Sequence, residues 1–304
     1  MIGKEINQES SLVLVYTITI VGAIITFISA SLMGLQNPTG IAFISYGFFS
    51  IILLSIWALF FMRDNQRGKF YSKPTNRNNE IAFKVRIGNG HLETRYVELE
   101  GRKIKIINHN LTYIDLSSLQ QHPEIILLDL SLNRLIDIDL TPLEACKNLS
   151  ILNLTSNELE QINLQFILKT PELKYLDLSN NRLTEISLEP LSVCRNLDTL
   201  DLGGNFFGKI DLKALESCTQ MECLTIDGTN IHSLDLSPLE SCEKLEHLIL
   251  NDNRIRALDI TPLMNCKKLD LLDIDHIDLV VSENMESHDY PIGVLHHIDR
   301  IKHT

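Results

Sequence analysis

The groups in this 304-residue chain that could bind a metal, attack a substrate or move a proton are its 6 cysteines, 10 histidines and 39 acidic residues. Spacing decides what they can do. Cys146, Cys194, Cys218, Cys242 and Cys266 stand one or two periods of 24 residues apart, and Thr170 fills the vacant slot. A zinc or dithiol site needs cysteines paired a few residues apart. Equivalent positions in successive copies of a repeat predict small buried apolar groups instead. Cys223 falls off this lattice and is predicted to lie beside the sheet, exposed. Asp273, Asp275, His276 and Asp278 read like a ligand run. On a strand, however, alternate residues point to opposite faces, so they do not imply one coordination shell. There is no phosphate loop, nucleophile elbow or paired metal signature. The expectation is a chain that performs no chemistry, with no cofactor, no metal and no small-molecule substrate.

The period that spaces the cysteines organises most of the chain. Copies begin at Ile125, Leu149, Leu173, Leu197, Met221, Leu245 and Leu269, the last one truncated. A degenerate copy starts near Gly101, with Ile104, Ile106, Leu111, Ile114 and Leu116 in phase. One copy shows the template through Leu173, Leu176, Leu178, Asn181 and Leu183. This pattern resembles the leucine-rich-repeat family, whose signature is L-x-x-L-x-L-x-x-N-x-L. The resemblance covers roughly 101–277. It implies an α/β solenoid with a parallel β-sheet on the concave face and short helical turns on the convex side. One coil cannot bury its leucines alone, whereas stacked coils bury them against each other.

The second half of each copy supplies the outer wall. Thr141-Pro142-Leu143-Glu144 and Ser237-Pro238-Leu239-Glu240 place a hydroxyl, a proline and a glutamate in the order of a capping box. Leu143 and Cys146 are predicted to face inward. The asparagine column is Asn133, Asn157, Asn181, Asn205 and Asn253, with Thr229 and His109 in matching slots. A buried amide there satisfies backbone groups where the chain leaves the sheet. The coils of Thr229 and His109 are expected to turn less regularly.

In this family the outward strand positions are the usual binding surface. The resemblance therefore points to a protein-binding face containing Asp129, Tyr175, Asp177, Asp201, Thr225, Asp227, His247, Ile249, Asn251 and Asp273. Phe206 joins them as an exposed aromatic in a slot held elsewhere by Arg134, Glu158, Arg182 and Arg254. It reads either as a contact anchor or as part of a repacked turn. Residues 129–275 hold 25 acidic and 13 basic side chains, a difference of −12, which equals the net charge of the whole chain. Such a surface repels nucleic acid and anionic lipid and suits a protein partner with a basic patch. The other reading is that the aspartates only solubilise the repeat.

The remaining segments position the solenoid. After the tail 1–10, residues 11–35 and 41–62 are two apolar runs separated by the polar turn 36–40. Each is long enough to cross a bilayer, so the pair predicts a transmembrane hairpin. A cleaved signal peptide would have a shorter apolar core and no second run. A hairpin buried in a soluble protein would need a sheath that nothing downstream offers. Ala30 and Gly34 would let the two helices approach closely. Arg63, Arg67, Lys69, Lys73 and Arg77 place the following side in the cytoplasm, and the N-terminus with it. Residues 63–80 read as a basic linker and 81–124 as a β-rich N-cap with the degenerate first copy. Residues 125–277 are the repeats and 278–304 the C-terminal cap. Within that cap, 290–302 predicts an amphipathic helix whose Ile292, Leu295, Ile298 and Ile301 seal the last coil. The function expected is a membrane-tethered scaffold with cytoplasmic repeats. The alternative is a receptor-like or adhesion protein with the repeats outside the cell.

Overall fold

The computed structural model of the protein describes residues 70–75, 79–282 and 290–303. The predicted spans 11–35 and 41–62, the Ala30 and Gly34 pair and most of the basic linker lie outside the described residues. Among the described residues no helix is long and apolar enough to cross a membrane.

The described part starts with β1 (Phe70–Tyr71), β2 (Glu80–Ile87), β3 (Leu92–Glu98), β4 (Lys103–Lys105) and β5 (Leu111–Asp115). β2 and β3 pair antiparallel from Glu80↔Glu98 to Arg86↔Leu92. Their alternating pattern puts Ile81, Phe83, Val85 and Val97 on one buried face. The turn between them closes through the Gly90 N–H to the Ile87 carbonyl, 2.9 Å. With β1 and β5 they form a four-stranded sheet over the first coil.

The main sheet is parallel. It runs from β4 through β6 (Leu127–Asp129), β7 (Ile151–Asn153), β8 (Tyr175–Asp177), β9 (Thr199–Asp201), β10 (Cys223–Thr225) and β11 (His247–Ile249). It ends, past β12 (Ala257–Asp259), at β13 (Leu271–Asp273). The register keeps leucine on leucine: Leu128, Leu152, Leu176, Leu200, Leu224, Leu248 and Leu272 are successive partners. All seven are buried. Burial of one such side chain contributes roughly 1.5–3 kcal/mol, and each coil gains it only from its neighbours.

The outer wall consists of five-residue 3-10 turns such as Thr141–Ala145, Glu189–Val193 and Ser237–Ser241. The expected capping box is absent: no side chain at the N-cap position makes a capping bond. Thr141 and Ser237 are the first helical residues, so their hydroxyls stand one position too late. The acceptor is the residue two before. Asp139 accepts the Thr141 N–H at 2.9 Å, and Asp235 accepts the Ser237 N–H at 2.9 Å. Asn163, Asp211 and Asp259 do the same in their own coils. Short acidic and amide side chains hold the backbone this way in Asx turns.

Inside the wall, Cys146, Cys218, Cys242 and Cys266 direct their sulfurs at carbonyls of the preceding coil. Burial pushes the thiols up to about 11 for Cys146 and Cys242 and about 12 for Cys194, Cys218 and Cys266. All six cysteines are unbridged. Cys223 is half-buried on β10 rather than exposed, because the flanking strands crowd it on both sides.

The asparagine column stitches neighbouring coils. Asn157 donates to Leu154 O (3.0 Å) and Leu130 O (3.1 Å), and its Oδ1 accepts the Leu135 N–H. Asn133, Asn181, Asn205 and Asn253 repeat the arrangement. Thr229 keeps one part of it, donating its hydroxyl to Ile226 O at 3.0 Å.

The C-terminal end differs from the expected amphipathic helix. Only α1 (Ile292–Leu295) is α-helical, and β15 (Ile301–His303) pairs in parallel with β14 (Asp278–Val281), which pairs with β12. Gly293 and Val294 are the residues turned to the last coil. A Cβ on Gly293 would lie 3.1 Å from Leu272 N, so a larger residue would make the backbone it meets give by a few tenths of an ångström. Ile292, Leu295 and Ile298 consequently face out. Spacing of three fits a one-sided helix, but backbone contact at Gly293 chose the opposite side.

Candidate protein-binding face

Residues two apart on each short strand, together with the turn that follows, form the columns of the sheet's outward face. The column ending each strand runs Asp129, Asn153, Asp177, Asp201, Thr225, Ile249 and Asp273. Its acidic members are not uniformly solvated, contrary to the expectation. Asp129 and Asp177 are buried, Asp201 is half-buried and Asp273 is exposed. Each carboxylate does local work first. Asp129 accepts the Ser131 N–H at 3.0 Å, and Asp201 accepts the Gly203 N–H at 3.0 Å. Asn153 does the same for Thr155. The aspartate of the template is therefore partly a turn-former that ends the strand.

Coil three concentrates polar contacts. Asp177 Oδ1 accepts from the Ser179 N–H (2.9 Å) and hydroxyl (2.7 Å), while Oδ2 accepts from the Tyr175 hydroxyl (3.1 Å). The Tyr175–Asp177 bond was not legible in the sequence, although residues two apart on a strand share a face. Burial and the neighbouring Asp177 and Asp201 carboxylates push the Tyr175 hydroxyl well above its ordinary range.

Parallel strands stack these carboxylates about 4.8 Å apart by the general spacing of a sheet. Removal from water, and then repulsion from Asp177, lifts Asp201 to about 7 against the Gly203 N–H that lowers it. Desolvation likewise raises Asp129, Asp177, Asp227 and Asp273, with repulsion from Asp227 and Asp275 adding at Asp273.

Asp227 reaches back across the preceding coil. A Cβ at Gly203 would lie 2.0 Å from Asp227 Oδ1 and 3.3 Å from Asp201 Oδ1. Glycine at 203 thus lets two carboxylates from adjacent coils converge. The signal was present in the sequence as a glycine where other coils carry Ser131, Thr155 and Ser179.

The other expected contact residues are placed as follows. Thr225, His247, Ile249 and Asn251 are half-buried on β10, on β11 and just past it. His247 Nε2 lies 3.4 Å from Asp270 Oδ1. Asn153 Nδ2 and Asn251 Oδ1 are buried polar atoms with no hydrogen-bond partner among the described residues. Phe206 is separated from this set: it lies beyond β9 on the turn, 56% exposed, on the flank of the coils. Asp275, from the suspected ligand run, accepts the Asp252 and Asn253 N–H groups.

On the flank, the residue after each asparagine donates its N–H to the preceding coil. Arg134 bonds Leu111 O, Glu158 bonds Leu135 O, Arg182 bonds Leu159 O and Phe206 bonds Leu183 O, all at 2.8–2.9 Å. These four side chains therefore form one column. Glu158 binds Arg134 Nε at 3.0 Å and Arg182 Nη2 at 2.9 Å. The two arginines hold its carboxyl below the usual range, Arg134 most strongly.

Comparison with known proteins agrees with this architecture. Residues 123–183 and 147–207 match the family described as leucine rich repeat. No curated protein matches the chain. Among solved structures, the Arabidopsis receptor kinase HAESA, in complex with the peptide hormone IDA and the co-receptor SERK1, is 22% identical with a TM-score of 0.54. That match covers 66% of this chain and 33% of HAESA. A TDR receptor is 19% identical with a TM-score of 0.54, covering 60% of this chain and 32% of the receptor. Internalin C2 of Listeria monocytogenes is 25% identical with a TM-score of 0.47, covering 67% and 80%. The chain spans about a third of the length of the two receptors.

Proposed function

We propose that this leucine-rich-repeat protein is a membrane-tethered scaffold whose strand face binds a protein partner with a basic surface, and that it performs no chemistry. The observation that carries the reading is the convergence of carboxylates at Asp177, Asp201 and Asp227. Like charges brought together out of water destabilise the free protein, and a cationic side chain from a partner relieves them.

The tether is the pair of apolar runs 11–35 and 41–62, and the repeats lie in the cytoplasm. The basic cluster from Arg63 to Arg77 supports this orientation. So do the six unbridged cysteines, which suit a reducing compartment.

Two measurements test the proposal on the full-length chain in cells. Protease added to intact cells is expected to leave the repeats whole; their removal would transfer the reading to a receptor-like or adhesion protein. In-cell crosslinking of the chain, compared with Asp201→Lys, Asp227→Lys and Asp273→Lys variants, is expected to lose its main adduct. Undiminished adducts in all three variants would sink the acidic-face reading.

A further inference from the structure

Charge divides this chain along its length. Residues 63–124 hold 11 basic and 7 acidic side chains, whereas residues 125–304 hold 15 and 30. The first of these segments is the one that adjoins the apolar runs. An anionic leaflet attracts it and repels the repeats. Residues 63–69 separate the second run from β1, so Phe70 is at most about 28 Å along an extended chain from Met62.

The apolar groups that this segment exposes are gathered at one place. Among the described residues up to 124, the large apolar side chains left exposed are Leu92 at 51% and Tyr113 at 37%. Arg86 pairs with Leu92 on one side and with Tyr113 on the other. Opposite residues of antiparallel strands share a face, so the three form one row across β3, β2 and β5 at the tip of the hairpin. Arg86 is exposed, and its Cζ lies 5.9 Å from the centre of the Tyr113 ring. The carboxylates around the row are engaged or remote. Glu93 points to the other face and holds Arg95 at 2.8 Å. Asp115 pairs with Lys84 and accepts the Ser117 N–H at 2.9 Å. Asp137, 24 positions after Tyr113, belongs to the next coil. Glu80 and Glu98 pair at the far end of the strands, about 20 Å from the row. The hairpin from Lys84 to Arg95 thus carries three basic side chains against one acid.

We propose that this hairpin tip docks on the anionic leaflet of the bilayer that holds the apolar runs, with Leu92 at the acyl boundary, Tyr113 at headgroup depth and Arg86 on lipid phosphate. The inference rests on the tether proposed above. An aliphatic side chain, a tyrosine and a cation in one row match an interface that is apolar below and anionic above. The linker permits the contact. Phe70 pairs with Val97, five residues along β3 from Leu92, which is about 17 Å and inside the linker's reach. Charge sets the direction: the basic end of the chain meets the lipid, and the acidic repeats stay free for their partner.

The test uses the full chain reconstituted in vesicles of brominated phosphatidylcholine and phosphatidylserine. Trp57, the single tryptophan, lies in the second apolar run and reports the tether; its quenching by the bromines is expected. Docking is read from Leu92→Trp in a Trp57→Phe background, with Tyr113→Trp as a second reading from the same row. The indole at position 92 is expected to be blue-shifted and quenched. Quenching is expected to fall at least twofold when phosphatidylserine is left out or Arg86→Glu is added. Leu168→Trp, on the outer wall, is expected to stay unquenched in the same background. A quenched Trp57 with unquenched indoles at positions 92 and 113 would overturn the docking, keep the tether and leave the tip to a protein partner. An unquenched Trp57 would overturn the tether and the docking with it. Quenching at position 92 that ignores both phosphatidylserine and Arg86→Glu, or that position 168 equals, would also overturn the proposal.

Discussion

The Asp227 carboxylate lies over Gly203 of the preceding coil, in space that a Cβ would enter to within 2.0 Å of Oδ1. Gly203→Ala must therefore push Asp227 aside. The displaced atom ends a flexible side chain, so the cost is modest, about 1 kcal/mol. In an Asp227→Ala background the same change should cost less, the remaining tight neighbour being Asp201 Oδ1 at 3.3 Å. A double-mutant cycle by urea denaturation checks this; additive effects would show that the two residues do not meet.

Asp201 has a folded-state value of about 7, above the 3.8 of the unfolded carboxyl. The folded form then binds its proton more tightly than the unfolded form. The resulting stabilisation is complete below pH ~4 and is lost as pH rises through ~7. Asp201→Asn keeps an oxygen for the Gly203 N–H, as Asn153 does for Thr155. It is expected to stabilise the protein by about 2–4 kcal/mol at pH 8 and to match the native chain near pH 4. Denaturation at the two pH values decides it, and equal stability of the two proteins at pH 8 would contradict it.

Asn181 bonds the carbonyls of Leu178 and Leu154 and the N–H of Leu159. Asn181→Ala strands the Leu159 N–H inside the protein, at about 1–3 kcal/mol, and takes one of two donors from each carbonyl, Leu154 O keeping Asn157 and Leu178 O keeping Asn205. Asn181→Thr should cost less, because a threonine at Thr229 still reaches the carbonyl three residues back. Thermal unfolding should rank the native chain above Thr and Thr above Ala; the reverse order of the two variants would remove the stitching role.

Thr170 interrupts the cysteine column, and its buried hydroxyl has no hydrogen-bond partner among the described residues. Thr170→Cys should stabilise the solenoid by roughly 1 kcal/mol, because a thiol is less costly to bury unbonded than a hydroxyl. A fall in the denaturation midpoint would show that the hydroxyl is satisfied in solution.

The solenoid was legible because leucines recur at a constant step and only stacked coils can bury them all. The β-rich N-cap at 81–124 was legible as well, and β2 and β3 form its hairpin. What could not be read were choices between two partners for one group. Thr141 looked like a cap, yet Asp139 is the acceptor, although the order Asp-Leu-Thr-Pro stood in plain view. The apolar set of Ile292, Leu295 and Ile298 looked inward-facing, and the backbone contact of Gly293 reversed it. In the candidate face, column membership followed from the period. The turn-forming bonds of Asp129 and Asp201 follow from coordinates, and they show why acid recurs there whether or not a partner binds.

The helix that carries Gly293 rests directly on the backbone of β13, the last strand of the parallel sheet. A naked final strand would be a template on which a second molecule could continue the ladder, coil upon coil, into a fibre. With α1 seated there, and the Gly293 N–H donating to Leu269 O at 2.9 Å, that growth point is shut. A bulky side chain at position 293 would press on that backbone and loosen the seat that keeps the stack finite.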